Sequence, residues 1–335
     1  MRKYSIFVSL IIGAFWLTEE FSLDYPDHFP STVYDFDRNP LTKAKVDLGK
    51  ALFYDPILSK DNTISCASCH SSFNAFAHSD HDLSHGINDQ IGTRNAPALF
   101  NLAWQENFMW DGAVNNLDMQ ALAPITHAKE MNESLDSVLY KLEGKSMYRK
   151  LFYKAFQDSI ITGEHLLLAL SQFQLTLVSS SSKYDEVKQG KQEFTEQEEQ
   201  GYSLFKKYCQ DCHQEPIFTA SEFAKNGLEV DSTLLDYGRF MVTERASDSL
   251  FYKIPSLRNL KYSYPYMHDG RFDKLREVLN HYGTGSTLQI GNERKNIKLS
   301  SREKTDLISF LQTLNDPVFI FDRQHQYPKH LFTNL

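Results

Sequence analysis

Cysteine is scarce in this chain of 335 residues, with four in all, and two copies of one short pattern use every one: Cys66-Ala-Ser-Cys69-His70 and Cys209-Gln-Asp-Cys212-His213. None is left over for a structural disulfide, which excludes a disulfide-stapled scaffold. Clusters of Lys and Arg are also missing. The net charge of −8 is spread along the sequence, so there is no basic patch to grip a phosphate backbone, and nucleic acid is excluded as a partner. Long hydrophobic runs are absent beyond the first residues. Met1-Arg2-Lys3 followed by the apolar stretch Tyr4 to Leu17 reads as the charged start and hydrophobic middle of an export signal. That stretch is about 14 residues, short of the roughly 20 that a membrane span needs. Glu19-Glu20 comes next without a small-x-small cleavage site, so residues 1–22 are a signal peptide or an uncleaved N-terminal anchor.

What is present in quantity is apolar residues at helical spacing. Leu135, Val138, Leu139 and Leu142 form one stripe; Leu275, Val278, Leu279 and Tyr282 a second; Leu307, Phe310, Leu311 and Leu314 a third. Thr195 with Glu198, and Ser300 with Glu303, have the spacing of capping boxes. No region alternates over strand length, so the fold is expected to be mainly α with long loops. A hydrophobic content of 41% over this length suits two compact domains. The polar stretch Ser179 to Glu193 marks the boundary, giving units at 23–185 and 186–335. A weak repeat supports the division: Leu48-Gly49-Lys50-Ala51-Leu52-Phe53 precedes the first cysteine pattern and Gly201-Tyr202-Ser203-Leu204-Phe205 the second.

Cys-x-x-Cys-His suits covalent haem attachment, because one turn of chain presents two thiols to the two vinyl groups while the following imidazole reaches the iron. A redox dithiol would not need a His after each pair, and a zinc site built from both pairs would have to join widely separated segments. Two c-type haems are expected, thioether-linked at Cys66/Cys69 and Cys209/Cys212. His70 and His213 become the proximal iron ligands. What faces each iron from the other side then decides whether a site takes substrate or only passes electrons.

From about Leu41 to its end the chain resembles the bacterial di-haem cytochrome c peroxidases and the related MauG-like proteins. The resemblance rests on motifs in one order: Leu48-Gly49-x-x-Leu52-Phe53, the first haem pattern, Gly92-Thr93-Arg94-Asn95-Ala96-Pro97, Trp110-Asp111-Gly112, Gln120-Ala121-x-x-Pro124, Glu130-Met131, the second haem pattern, Pro255-Ser256-Leu257-Arg258-Asn259, and Tyr264-Pro265-Tyr266-Met267-His268-Asp269-Gly270. It implies two cytochrome c-like haem domains, the N-terminal one peroxidatic and the C-terminal one for electron transfer. Gln120, Pro124 and Glu130 then shape the distal pocket of the first haem, and Glu130 is suited to move a proton between the peroxide oxygens as general acid/base. Trp110 falls between the haems as a relay, a role compatible with simple core packing. The resemblance also carries over an inter-haem calcium held by Asn95 and the backbone near Ser263 and Pro265; neutral oxygens suit a hard cation.

Two positions depart from the peroxidase pattern. Where those members place a distal His, seven residues before the Arg of the Arg-Asn-Ala-Pro motif, this chain has Ile87, which cannot ligate iron. The first iron is expected to be open; the alternative is a shifted ligand, His85 in the same loop, beside His78 and His81. At the second haem the peroxidase Met, fourteen residues after the His of His-Asp-Gly, is replaced by Tyr282, as in MauG-like proteins; Met267 is the competing ligand. The stripe turns Tyr282 inward with Leu275 and Leu279.

The resemblance implies a periplasmic oxidoreductase that reduces hydrogen peroxide with electrons from a small cytochrome c or a copper protein (cupredoxin). A rival keeps the chemistry but directs it at side chains of a partner protein, as MauG-like proteins do. A second rival is a non-enzymatic di-haem electron carrier, against which a polar distal pocket argues. Many relatives dimerise, so a homodimer is compatible with this reading.

Overall fold

The computed structural model describes residues 21–283 and 285–333. The export segment read at 1–22 therefore lies almost wholly outside the described residues. Numbered in chain order, the longer helices are α1 (Lys43–Tyr54), α2 (Leu135–Glu143), α3 (Ser146–Phe156), α4 (Gly163–Leu175), α5 (Glu196–Tyr208), α6 (Leu275–Gly283) and α7 (Ser301–Gln312). The Thr42 hydroxyl accepts the Lys45 N–H to start α1. Both capping boxes read in the sequence form, Thr195 with Glu198 ahead of α5 and Ser300 with Glu303 ahead of α7.

Two helix crossings organise the cores. In the first, α1 meets α4 with no room for a side chain, since a Cβ on Gly49 would lie 1.8 Å from the carbonyl oxygen of Ala169. In the second, α5 meets α7 in the same manner, a Cβ on Gly201 falling 2.0 Å from the oxygen of Asp306. Phe53 and Phe205, each one turn beyond its glycine, are fully buried. The weak sequence repeat is thus a repeated packing device: glycine brings two backbones together and the aromatic fills the space beneath. The two copies reach their cysteine patterns differently. α5 runs straight into Cys209, whereas Asp55 to Ser65 separate α1 from a one-turn helix at Cys66–Cys69.

A small antiparallel sheet, order β2-β1-β3-β4, is formed by β1 (Phe223–Lys225), β2 (Tyr252–Lys253), β3 (Leu288–Ile290) and β4 (Glu293–Lys295). These strands are silent in the sequence, because two or three residues cannot display an alternation of period two.

The polar stretch read as a boundary is exposed over 188–193 and packed over its first residues. Ser179, Ser182, Tyr184 and Asp185 are buried. Asn101 and Ser179 exchange hydrogen bonds, Asn259 donates to the Ser179 hydroxyl over 2.9 Å, and that hydroxyl donates to Asp316 over 3.1 Å. Arg258 grips Asp185 through two bonds of 2.7 and 2.8 Å, both side chains fully buried. Leu175 and Leu177 belong to the first apolar core, Tyr184 and Phe205 to the second. The C-terminal segment then returns: Phe319 and Ile320 join the first core, and the Lys50 ammonium donates to the carbonyl of Gln324.

Candidate functional site

Both Cys-x-x-Cys-His patterns open onto one continuous cavity of about 570 Å³, with Cys69 and His70 in its wall at one end and Cys209, Cys212 and His213 at the other. Each imidazole is oriented from behind. His70 has Nδ1 2.8 Å from the carbonyl of Phe76; His213 has Nδ1 3.0 Å from that of Pro255 and 3.2 Å from that of Phe218. With Nδ1–H donating to a carbonyl, the Nε2 lone pair is left for a metal, the arrangement that fixes tautomer and ring direction in metal sites. Burial pushes both imidazoles down to about 4, so both stay neutral donors. Burial likewise pushes the thiols of Cys66 and Cys69 up to about 12 and 11, and that of Cys209 to about 12. A large cavity, neutral imidazoles and paired unionised thiols together fit a covalently held porphyrin.

At the first end the structure brings Gln120, Pro124, Glu130 and Trp110 into the same wall as His70. Two short helical turns do this: Asn116 caps Leu117–Gln120, and Leu122–Thr126 comes next, after which the Met131 N–H donates back to the Pro124 carbonyl. Burial raises the proton affinity of the Glu130 carboxyl, an effect opposed by His127, whose Nδ1 lies 3.3 Å away. His85 is held differently. Its ring bonds to Asp89 over 2.7 Å and stacks on His81 at 4.3 Å between centroids, and it is not in the cavity wall. Ile87 is buried and also outside the wall.

At the second end Tyr282 and Met267 both face the cavity, with Leu275, Leu279, Leu307 and Leu311. Burial, reinforced by the neighbouring Cys209 and Cys212 sulfurs, raises the proton affinity of the Tyr282 phenol. Met267 has its sulfur 3.9 Å from the Asn226 amide. Trp110 lies between the two ends, its indole N–H donating to the Asn95 carbonyl over 2.8 Å while its own carbonyl accepts the Lys253 N–H over 2.7 Å. Asn95 and Pro265 meet there as well, Asn95 donating to the Pro265 carbonyl over 2.6 Å and leaving its buried Oδ1 without a partner, while Ser263 lines the same cavity.

A family model described as di-haem cytochrome c peroxidase matches residues 43–193. The methylamine utilization protein MauG of Methylorubrum extorquens is 37% identical over 297 residues, covering 85% of this chain and 82% of that protein. The cytochrome c551 peroxidase of Nitrosomonas europaea is 33% identical over 279 residues, covering 82% and 81%. This chain belongs to the di-haem cytochrome c peroxidase family. A solved MauG-like protein associated with microbial copper homeostasis shares its fold, with a TM-score of 0.82 at 29% identity over 92% of this chain and 99% of that one.

Membership of the di-haem peroxidase family means two covalently bound c-type haems, which agrees with the fit of the cavity. In this family member several residues that shape the cavity carried no signal in the sequence. His127 lies in the wall three positions before Glu130, and Met109 accepts a hydrogen bond from the Gln120 amide at 3.6 Å. Lys253 reaches the cavity from β2. Arg94, given no role by its motif alone, ties Asp111 to Asp236 with bonds of 2.6 to 2.8 Å and so fixes the loop that carries Trp110.

Proposed function

We propose that this di-haem peroxidase reduces hydrogen peroxide to water outside the cytoplasm, in the periplasm, with electrons from a small c-type cytochrome or cupredoxin. The observation that carries the reading is the grouping of Gln120, Pro124 and Glu130 in the cavity wall with His70. No helix among the described residues is long and apolar enough to cross a membrane. The division of labour runs along the chain: a peroxidatic unit at 23–185 and an electron-transfer unit at 186–335.

Cys66 and Cys69 with His70, and Cys209 and Cys212 with His213, would hold the two haems, which would supply redox-active iron for peroxide reduction and for passing on the donor's electrons. The chain's own residues do the rest. Glu130, its proton affinity raised by burial, holds a proton at its carboxyl and moves it between the two oxygens of peroxide. Gln120 presents its amide to orient that molecule, and Pro124 closes the wall with an apolar ring that excludes water. Trp110, bonded at both ends, is a rigid bridge between the two sites. The orphaned Oδ1 of Asn95, with the carbonyl oxygens of Ser263 and Pro265, suits one calcium ion between them. Steady-state assay with peroxide and a reduced cytochrome c tests the proposal: multiple turnovers support it, and failure to oxidise any small donor overturns it.

A second reading is favoured by Tyr282 at the second site: peroxide-dependent oxidation of side chains on a partner protein, as the relation to MauG suggests. Negligible turnover with small donors, together with peroxide-dependent modification of a co-purified protein, would favour it.

A further inference from the structure

We propose that Lys253 is the anion anchor of the second site, its ammonium taking a carboxylate of the prosthetic group held by Cys209, Cys212 and His213. The inference rests on the reading of that site as a haem site. Lys253 is fixed at its backbone, opposite Phe223 in the sheet and with its N–H on the Trp110 carbonyl at 2.7 Å. Its side chain turns into the cavity wall. There the ammonium meets one protein acceptor, the carbonyl of Ile254 at 3.4 Å.

Two other cations of that wall are neutralised by carboxylates, while the half-buried Lys225 has its ammonium over the Phe251 ring at 5.0 Å. Arg94 has Asp111 and Asp236, and Lys295 has Asp211. Lys253 has no carboxylate within ion-pair distance among the described residues, and burial alone pushes its ammonium down to about 8, with no opposing charge to hold it up. A buried cation without a counter-ion costs folding free energy, because the water it gives up is not replaced. The cost is removed when whatever fills the cavity brings an anion to it. A c-type porphyrin is an apolar disc with two carboxylates, and the cavity has the matching character: apolar Leu275, Leu279, Leu307 and Leu311 in its wall, and at Lys253 a buried ammonium without a counter-ion. Lys253 is also close to the proximal ligand along the chain, since His213 has Nδ1 3.0 Å from the carbonyl of Pro255, two residues on.

A positive charge held there favours the reduced iron over the oxidised one, which carries one more positive charge. Lys253 is therefore a positioning residue that also raises the reduction potential of the second haem. The test is redox titration of the holoprotein followed by optical spectroscopy, after the haem content of each variant has been counted as the pyridine haemochrome. Lys253→Met is expected to keep two haems and to shift the potential of the C-terminal haem downward, more than that of the N-terminal one; Lys253→Arg is expected to restore it. Two haems with an unmoved C-terminal potential in Lys253→Met, or no recovery in Lys253→Arg, would overturn the anchor while leaving the haem reading intact. A wild-type count below two haems would overturn the haem reading itself.

Discussion

The backbone N–H of Ile87 donates to the carbonyl oxygen of Glu130 across 2.9 Å. The loop between Ser84 and Gly92, which line the cavity, is thus tied by one hydrogen bond to the segment that places the acid. The residue before Ile87 lies closer still: a Cβ on Gly86 would fall 2.1 Å from the oxygen of Lys129 and 2.5 Å from that of Glu130. At the position where the peroxidase pattern has a distal ligand, the chain has a backbone clamp on Glu130.

Gly86→Ala is therefore expected to displace Glu130 without touching either haem pattern. Misplacing a reacting group by about 1 Å can cost about 100-fold in rate. Turnover of peroxide with reduced cytochrome c is expected to fall by about that factor at unchanged haem content. A rate within twofold of the wild type would show that the clamp does not position the acid.

Glu130→Gln removes the proton carrier and keeps the shape. A loss of about 10² to 10⁴ in peroxide turnover is expected, the usual contribution of a general acid/base. Stability supplies an independent reading. Burial raises the folded-state pKa of Glu130 above its ordinary value, so its contribution is most favourable below that ordinary value and is lost as pH rises through the raised one. Denaturant midpoints of Glu130→Gln and wild type should then diverge in favour of the variant as pH rises from about 4 to about 7. A constant gap would contradict the burial of the charge.

Asp185 gives the opposite sign. Burial alone would raise its pKa, but the bidentate Arg258 guanidinium and the Ser182 bonds override that and hold the carboxyl at about 2. Its folded value lies below its unfolded one, so the stabilisation is full above about 4 and is lost as pH falls toward 2. Asp185→Asn leaves Arg258 buried and unpaired and should destabilise the protein by about 3–5 kcal/mol, read from chemical unfolding at pH 7. A loss under 1 kcal/mol would mean that the pair is dispensable.

Where the chemistry is written in contiguous residues, the sequence was enough to find it. The cysteine patterns, the stripes that became α2, α6 and α7, and both capping boxes depend on spacing over a few positions. The wall residues that escaped notice depend on tertiary approach. Nothing near His127 in sequence marks it as the neighbour of a half-buried carboxyl, and nothing near Lys253 shows that its strand pairs so as to aim an ammonium into a cavity. Composition alone does not show that Ser179 to Asp185 packs either: only the partners Asn101, Asn259, Arg258 and Asp316, remote in sequence, turn this serine-rich run into a buried junction.

The second site separates two candidate ligands by the sign of an effect. Tyr282, on α6, faces the cavity, and its phenol has no hydrogen-bond partner among the described residues, whereas the Met267 sulfur is engaged by the Asn226 amide. An oxygen ligand favours oxidised iron, and a thioether favours reduced iron. If the phenol is the axial donor, Tyr282→Met should raise the potential of the C-terminal haem, opposite to the shift expected for Lys253→Met, and Met267→Leu should leave it unchanged. Optical redox titration of both variants decides the matter. A potential that moves with Met267→Leu and not with Tyr282→Met would transfer the ligand role to the sulfur and leave Tyr282 as an apolar stripe residue of its helix.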